Sequence, residues 1–200
     1  MKDQIDPPPD GPSEVDTAQL MKAYQALDSA PERAASALTR LAESGSPMGM
    51  LYLGYVLRNG IGVPPDIQGA EIWYRRAADA GIPRARYHLG RLYLDNRQYA
   101  EALVEFERAA SNGFAPALHF LGRIYYFGYG VPIDKDRGRT LLESAAKSGG
   151  IYAKALLAHD LIHEGGSTRA RLKGVLMKFA CYAASLRTLL TEGMSSDRLR

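Results

Sequence analysis

The chain has 200 residues, 46% of them hydrophobic, which is enough to bury a core in one domain or one short array. Its 25 Lys and Arg stand against 22 Asp and Glu, and the net charge of +3 is too weak and too evenly scattered to argue for nucleic acid. A lone cysteine, Cys181, excludes an internal disulfide framework and fits a reducing compartment, and no run of about 18 apolar residues is present to span a bilayer.

Residues 1–13 open a stretch that reads MKDQIDPPPDGPSEVD, with four prolines and no apolar run after Lys2. It lacks the form of a secretory signal, and its composition predicts a short disordered leader. Residues 14–45 read as an N-terminal capping helix pair, one helix near Val15 to Leu27 and a second from Pro31 to the glycine at Gly45.

From residue 46 to 186 the chain repeats itself. Glycines that follow a helical run occur at Gly45 (LAESG), Gly81 (AADAG), Gly113 (AASNG) and Gly149 (AAKSG), at separations of 36, 32 and 36. Leu-Gly pairs keep the same rhythm at Leu53-Gly54, Leu89-Gly90 and Leu121-Gly122, with a degenerate Leu157-Ala158. Each unit has two helical halves. In the first, Ala85, Leu89, Gly90 and Tyr93, or Ala117, Leu121, Gly122 and Tyr125, fall on one helical face. A glycine there costs about 1 kcal/mol of helix propensity against alanine, so close approach of a partner helix must justify it. The second halves, GAEIWYRRAADAG, YAEALVEFERAASNG and GRTLLESAAKSGG, are also periodic and end at a glycine suited to a left-handed cap.

Two of the units join their halves by nearly the same phrase, NGIGVPPD (residues 59–66) and FGYGVPID (residues 127–134). Paired glycines permit positive φ, Val63 or Val131 tucks back as a plug, proline stops the first helix, and Asp66 or Asp134 stands ahead of the next. The unit between them turns in LDNRQY instead, which accounts for its shorter period. A phosphate cradle would need a strand before the loop and a Gly-Lys-Ser or Gly-Lys-Thr after it, and the chain has neither.

The pattern Ala, Leu-Gly, Tyr, Gly-x-Gly-Val, Asp, then Ala-x-x-Trp-Tyr-x-x-Ala-Ala-x-x-Gly resembles the Sel1-like repeat, a relative of the tetratricopeptide repeat with a longer inter-helix loop. Ala70, Trp73, Tyr74, Ala77, Ala78 and Gly81 match its second helix. The unit with Tyr87, Leu89, Gly90, Tyr93, Ala102, Phe106 and Ala109 is similar to an ordinary tetratricopeptide unit. The resemblance covers roughly residues 31–186 and is strongest over 46–150. It implies an all-α fold, a right-handed superhelical solenoid of four to five helix pairs whose first helices line a concave face. The long last helix, from about Arg169 to Leu190, is expected to cap the array or to form a dimer face, with residues 187–200 as its end and tail.

If the packing positions are those above, the residues at minus two, plus two and plus five from each repeat leucine point to the concave face. These are Leu51, Tyr55 and Arg58, then Tyr87, Arg91 and Leu94, then His119, Arg123 and Tyr126, then Ala155, His159 and Ile162. None of them is acidic. The expected partner-binding set is therefore Tyr55, Arg58, Tyr87, Arg91, His119, Arg123, Tyr126 and His159, a basic and aromatic stripe suited to a carboxylate, an acidic segment or an aromatic-rich peptide. The carboxylate clamp of related tetratricopeptide arrays is not recognisable in it. The plainer alternative is that these side chains lie over a solvated groove or pair with acids of second helices such as Glu105 or Glu107.

One local motif invites chemistry, HDLIHE, in which His159 and His163 sit at i and i+4, the spacing of a zinc pair. A zincin would have Glu where Asp160 stands, and no third ligand is marked, although Glu164 and Gly165-Gly166 follow. Two polar histidines near a groove rim are the expected reading. Cys181, within KFACYAAS, is expected to be buried and inert, and Trp73, Tyr74, Tyr93 and Tyr125 to be core. The functional expectation is a non-enzymatic scaffold or adaptor with a protein partner, without cofactor, metal, nucleic acid or membrane insertion. Because some bacterial proteins of the resembled family neutralise a secreted toxin, an immunity protein is the alternative. A metal-dependent hydrolase centred on His159 and His163 is a second. The expected compartment is the cytoplasm, or the periplasm if an export signal has been trimmed.

Overall fold

A computed structural model describes residues 14–163 and 167–195, with side-chain surroundings for 17–163 and 167–187. Every regular element among the described residues is a helix: α1 Glu14–Ser29, α2 Pro31–Glu43, α3 Pro47–Asn59, α4 Ile67–Asp79, α5 Pro83–Asp95, α6 Tyr99–Ser111, α7 Pro116–Phe127, α8 Lys135–Lys147, α9 Ile151–His163 and α10 Thr168–Ser195. The leader and Glu164 to Gly166 lie outside the described residues. The chain divides into two compact units, the first ending at Phe114 and the second beginning at Ala115. Within each, the substantial packing is between helices adjacent in sequence, α1 to α6 in the first and α7 to α10 in the second. This is the all-α, helix-pair repeat fold that the sequence predicts, in which each pair buries its apolar face on its neighbours. No described helix is long and apolar enough to cross a membrane.

The caps explain the helix boundaries. The carboxylates of Asp66 and Asp134 accept from the backbone N–H of Gly69 and of Arg137, each at 2.9 Å, opening α4 and α8. Gly60 and Gly128 close α3 and α7 in the left-handed region at φ 65° and 72°. The repeated loop then folds back in the same way twice, because the N–H of Asp66 donates to Leu57 and that of Asp134 to Tyr125. Between α5 and α6 the left-handed residue is Arg97, φ 59°, so the short turn dispenses with glycine altogether.

Helical glycines mark the closest crossings. A Cβ on Gly54 would stand 2.8 Å from the Tyr74 ring, and one on Gly90 2.9 Å from Phe106. Gly122 faces Leu142 in the same manner. In the last pair the first helix carries Ala158, and the glycine is supplied by the second: a Cβ on Gly174 would meet the Ala158 carbonyl at 2.8 Å. The degenerate repeat therefore keeps its close approach with the partners exchanged.

Two placements depart from expectation. Trp73 is not core; it stays half-exposed, with the Arg76 guanidinium 4.8 Å from its ring centre. Cys181 is half-buried on the seam between α9 and α10, its Sγ 3.9 Å from the Ile151 carbonyl. Tyr74, Tyr93 and Tyr125 are buried as predicted.

Gly138 gives the sharpest packing test, because a Cβ there would lie 2.7 Å from the backbone nitrogen of Tyr126 and 2.8 Å from the Gly122 carbonyl, atoms that cannot swing aside. Gly138→Ala is expected to destabilise the chain by about 2 kcal/mol despite a propensity gain of about 1 kcal/mol. Urea unfolding followed by circular dichroism checks this, and an unchanged midpoint would remove the close crossing as a constraint.

Candidate functional site

The first unit builds its candidate surface from α3 and α5. His88, one residue before the repeat leucine of α5, lies at the centre of an aromatic cluster. It stacks on Tyr74 at 5.4 Å and meets Tyr87 edge-on at 5.2 Å and Tyr55 at 6.5 Å. Tyr87 also packs against Phe106 and Phe114 and remains half-exposed, with the Arg91 guanidinium 5.8 Å from its ring centre. Arg58 reaches from α3 to form an ion pair with Asp95 at the end of α5. Burial, then the charges of Arg91, Arg58 and Arg84, push the His88 imidazole down to about pKa 3. A buried, neutral histidine inside an aromatic cluster is thus a feature of this unit.

Tyr55 does not lie on that open surface. It is only 6% exposed, because position plus two of α3 is closed over by the His88 ring. Leu51 is fully buried as well. Of the acids suspected of neutralising the stripe, Glu105 takes Arg86 at 3.3 Å and Arg108 at 3.2 Å, and Glu107 is exposed on α6. Tyr87 and Arg91 are brought together, while Arg58 is tied to Asp95.

In the second unit Arg123 lies over Phe120, its guanidinium 5.9 Å from the ring centre. His119 is half-buried beside Phe120 and Tyr152, and burial, with a smaller effect from Arg123, lowers it to about pKa 4. Tyr126 departs from expectation. It is 8% exposed and its hydroxyl donates to the Asp160 carboxylate, which also accepts from Arg139 Nε at 2.8 Å. The plus-five position therefore faces the next helix pair rather than solvent, and Tyr126 fixes α7 to α9.

The same carboxylate decides the histidine motif. His159 and His163 are exposed with ring centres 4.3 Å apart, but Asp160 between them is buried and committed to Tyr126 and Arg139. It is unavailable to position a water. Among the described residues no group of three or more His, Cys, Asp or Glu could hold a metal ion. Glu164 lies outside the described residues.

Sequence reasoning missed His88. Its one signal was an imidazole immediately beside a repeat Leu-Gly pair, on the packing side of the helix, where a titratable group has no structural reason to be charged.

Comparisons with known proteins agree with the fold. The Sel1 repeat model matches residues 47–82 and 115–150. Comparison with curated proteins gives no match. Among solved structures, the chain is similar to a Sel1 repeat protein from Oxalobacter formigenes, with TM-score 0.72 and 24% identity over 82% of this chain and 72% of that one. It is also similar to a protective antigen of uropathogenic Escherichia coli displaying an SLR fold, with TM-score 0.68 and 22% identity over 78% of this chain and 34% of the antigen. An immunity protein from Pseudomonas aeruginosa aligns with TM-score 0.58 and 22% identity, over 84% of this chain and 66% of that one.

His88 makes the fold sensitive to acid. Its folded pKa of about 3 lies below the unfolded value of 6.5, so above pH 6.5 both states are neutral and nothing changes. Between 6.5 and 3 the unfolded chain binds a proton that the folded chain refuses, and stability falls by about 1.4 kcal/mol per pH unit. The Nδ1 of His88 also finds no hydrogen-bond partner among the described residues. His88→Phe is therefore expected to be tolerated at about pH 7 and to gain about 2 kcal/mol on wild type at about pH 5. Paired urea titrations at the two pH values measure this; equal losses in both proteins would show that His88 is not the sensitive group.

Proposed function

We propose that this chain, a member of the Sel1-repeat family, is a non-enzymatic protein-binding scaffold that takes an acidic or aromatic-rich segment of a partner on the surfaces of its first helices. Folds of this type serve typically as scaffolds, and the repeats supply the frame. The observation that carries the reading is the half-exposed Tyr87 with the Arg91 guanidinium 5.8 Å from its ring centre, in a unit whose first helices also carry Arg58 and Arg84. Their combined field favours a carboxylate-bearing segment. Arg58 is already paired with Asp95, so it contributes to that field only together with this carboxylate. On the second unit Arg123 lies over Phe120 with His119 against the same ring.

A second reading, an immunity protein that neutralises one cognate toxin, is supported by the function in the name of the Pseudomonas aeruginosa fold relative. It differs in requiring a single tight partner and protection of the cells that express the chain.

Reversal of Arg91 and Arg123 to Glu is expected to weaken partner capture by roughly a hundredfold, about 1–2 kcal/mol for each interface arginine, with helicity unchanged. Affinity purification of tagged wild type beside Arg91→Glu, Arg123→Glu, read by mass spectrometry and circular dichroism, tests it. A partner retained undiminished by the folded variant would overturn the reading. A lone toxin enzyme lost from it would favour the immunity function over the adaptor.

A further inference from the structure

The last helix, α10, carries an apolar surface that the repeat architecture does not use. On one side Gly174, Met177 and Cys181 face α9 and are buried or half-buried. On the opposite side Leu172, Val175, Leu176, Phe179, Tyr182 and Leu186 are 38–72% exposed. At 3.6 residues per turn these six fall within an arc of about 120°, a continuous stripe along the helix. A row of large apolar side chains this open is more than scattered surface hydrophobics.

The charges beside the stripe identify its partner. From Thr168 to Arg187 the helix carries five cations, Arg169, Arg171, Lys173, Lys178 and Arg187, and no acid. Lys178 borders one edge of the stripe while Arg169 and Lys173 border the other, and all three are exposed. Packing this face on a second copy of itself would bring two sets of like charge together while burying the apolar rows. A flat anionic surface instead satisfies both features at once, since the apolar row enters the acyl boundary and the flanking cations reach the headgroups. We propose that α10 is a peripheral membrane-binding helix that lies in the plane of an anionic lipid bilayer. It adsorbs rather than spans, consistent with its cations and with a helix too polar to cross. Phe179 and Tyr182, the most exposed members of the row, make the deepest contact. This surface shares no residue with the arginines of the first unit.

The test is flotation of the full chain with vesicles of phosphatidylcholine alone and of an equal mixture with phosphatidylglycerol. Binding to the mixed vesicles is expected to be at least about tenfold stronger and to weaken as salt rises. Phe179→Asp, Tyr182→Asp is expected to abolish it, and Lys173→Gln, Lys178→Gln to weaken it roughly tenfold. Circular dichroism confirms that each variant is folded, which their exposure favours. Three results would overturn the proposal: no difference between the two vesicle types, a wild-type dimer in light scattering that Phe179→Asp, Tyr182→Asp converts to monomer, or capture by polyglutamate without vesicle binding.

Discussion

The structure depends on how closely the two helices of a pair approach each other. At Gly54, Gly90 and Gly122 the first helix offers bare backbone, and a large side chain of the second, Tyr74, Phe106 or Leu142, lies against it. That contact sets the spacing within each pair and buries Tyr74, Phe106 and Leu142 completely. It also consumes the residues around the Leu-Gly step, and so determines which positions of the first helix are left for solvent or a partner. The helix-propensity cost of a mid-helix glycine, about 1 kcal/mol, is offset by burial of a side chain worth about 1.5–3 kcal/mol.

The candidate surface follows from that division. Arg91 and Arg123 stand two residues past the repeat leucine and remain half-exposed, whereas Tyr55, at the equivalent place in α3, is covered by His88. One sequence position thus has two fates. His88 itself stays neutral because it is buried among rings and because the nearby arginine charge opposes its protonation.

Most of the fold was legible in the sequence because it repeats. Glycine spacing placed the helix ends, and Asp66 and Asp134 announced their own caps. The surface was less legible. Stepping by fixed offsets treats each first helix as isolated, and it assigned Tyr126 to solvent although that side chain belongs to the crossing of α7 with α9. The sequence contains no local cue that Asp160, thirty-four residues away, is its acceptor. The same long-range bond answers the histidine motif, whose spacing looked like a metal site while its central acid was serving a structural pair. Trp73 failed for a different reason: a consensus position fixes where a residue sits on the helix, but the neighbouring Arg76, not the core, took the face of its ring.

The net charge of +3 hides a segregation that bears on function. Acids concentrate on the second helices, with Glu71 and Asp79 on α4, Glu101, Glu105 and Glu107 on α6, and Asp136 and Glu143 on α8. Across α3, α5, α7 and α9 only two carboxylates occur, Asp95 and Asp160, and both are engaged with basic side chains of their own unit. The basic field of those helices is therefore opposed in part from outside them, since Arg86 pairs with Glu105 of α6 while Arg58 takes Asp95. A chain with the same composition but its acids shuffled onto the first helices would keep its pI and its core and lose that field. What the sequence average reports as near-neutral includes three first helices, α3, α5 and α7, each of which carries more cations than acids.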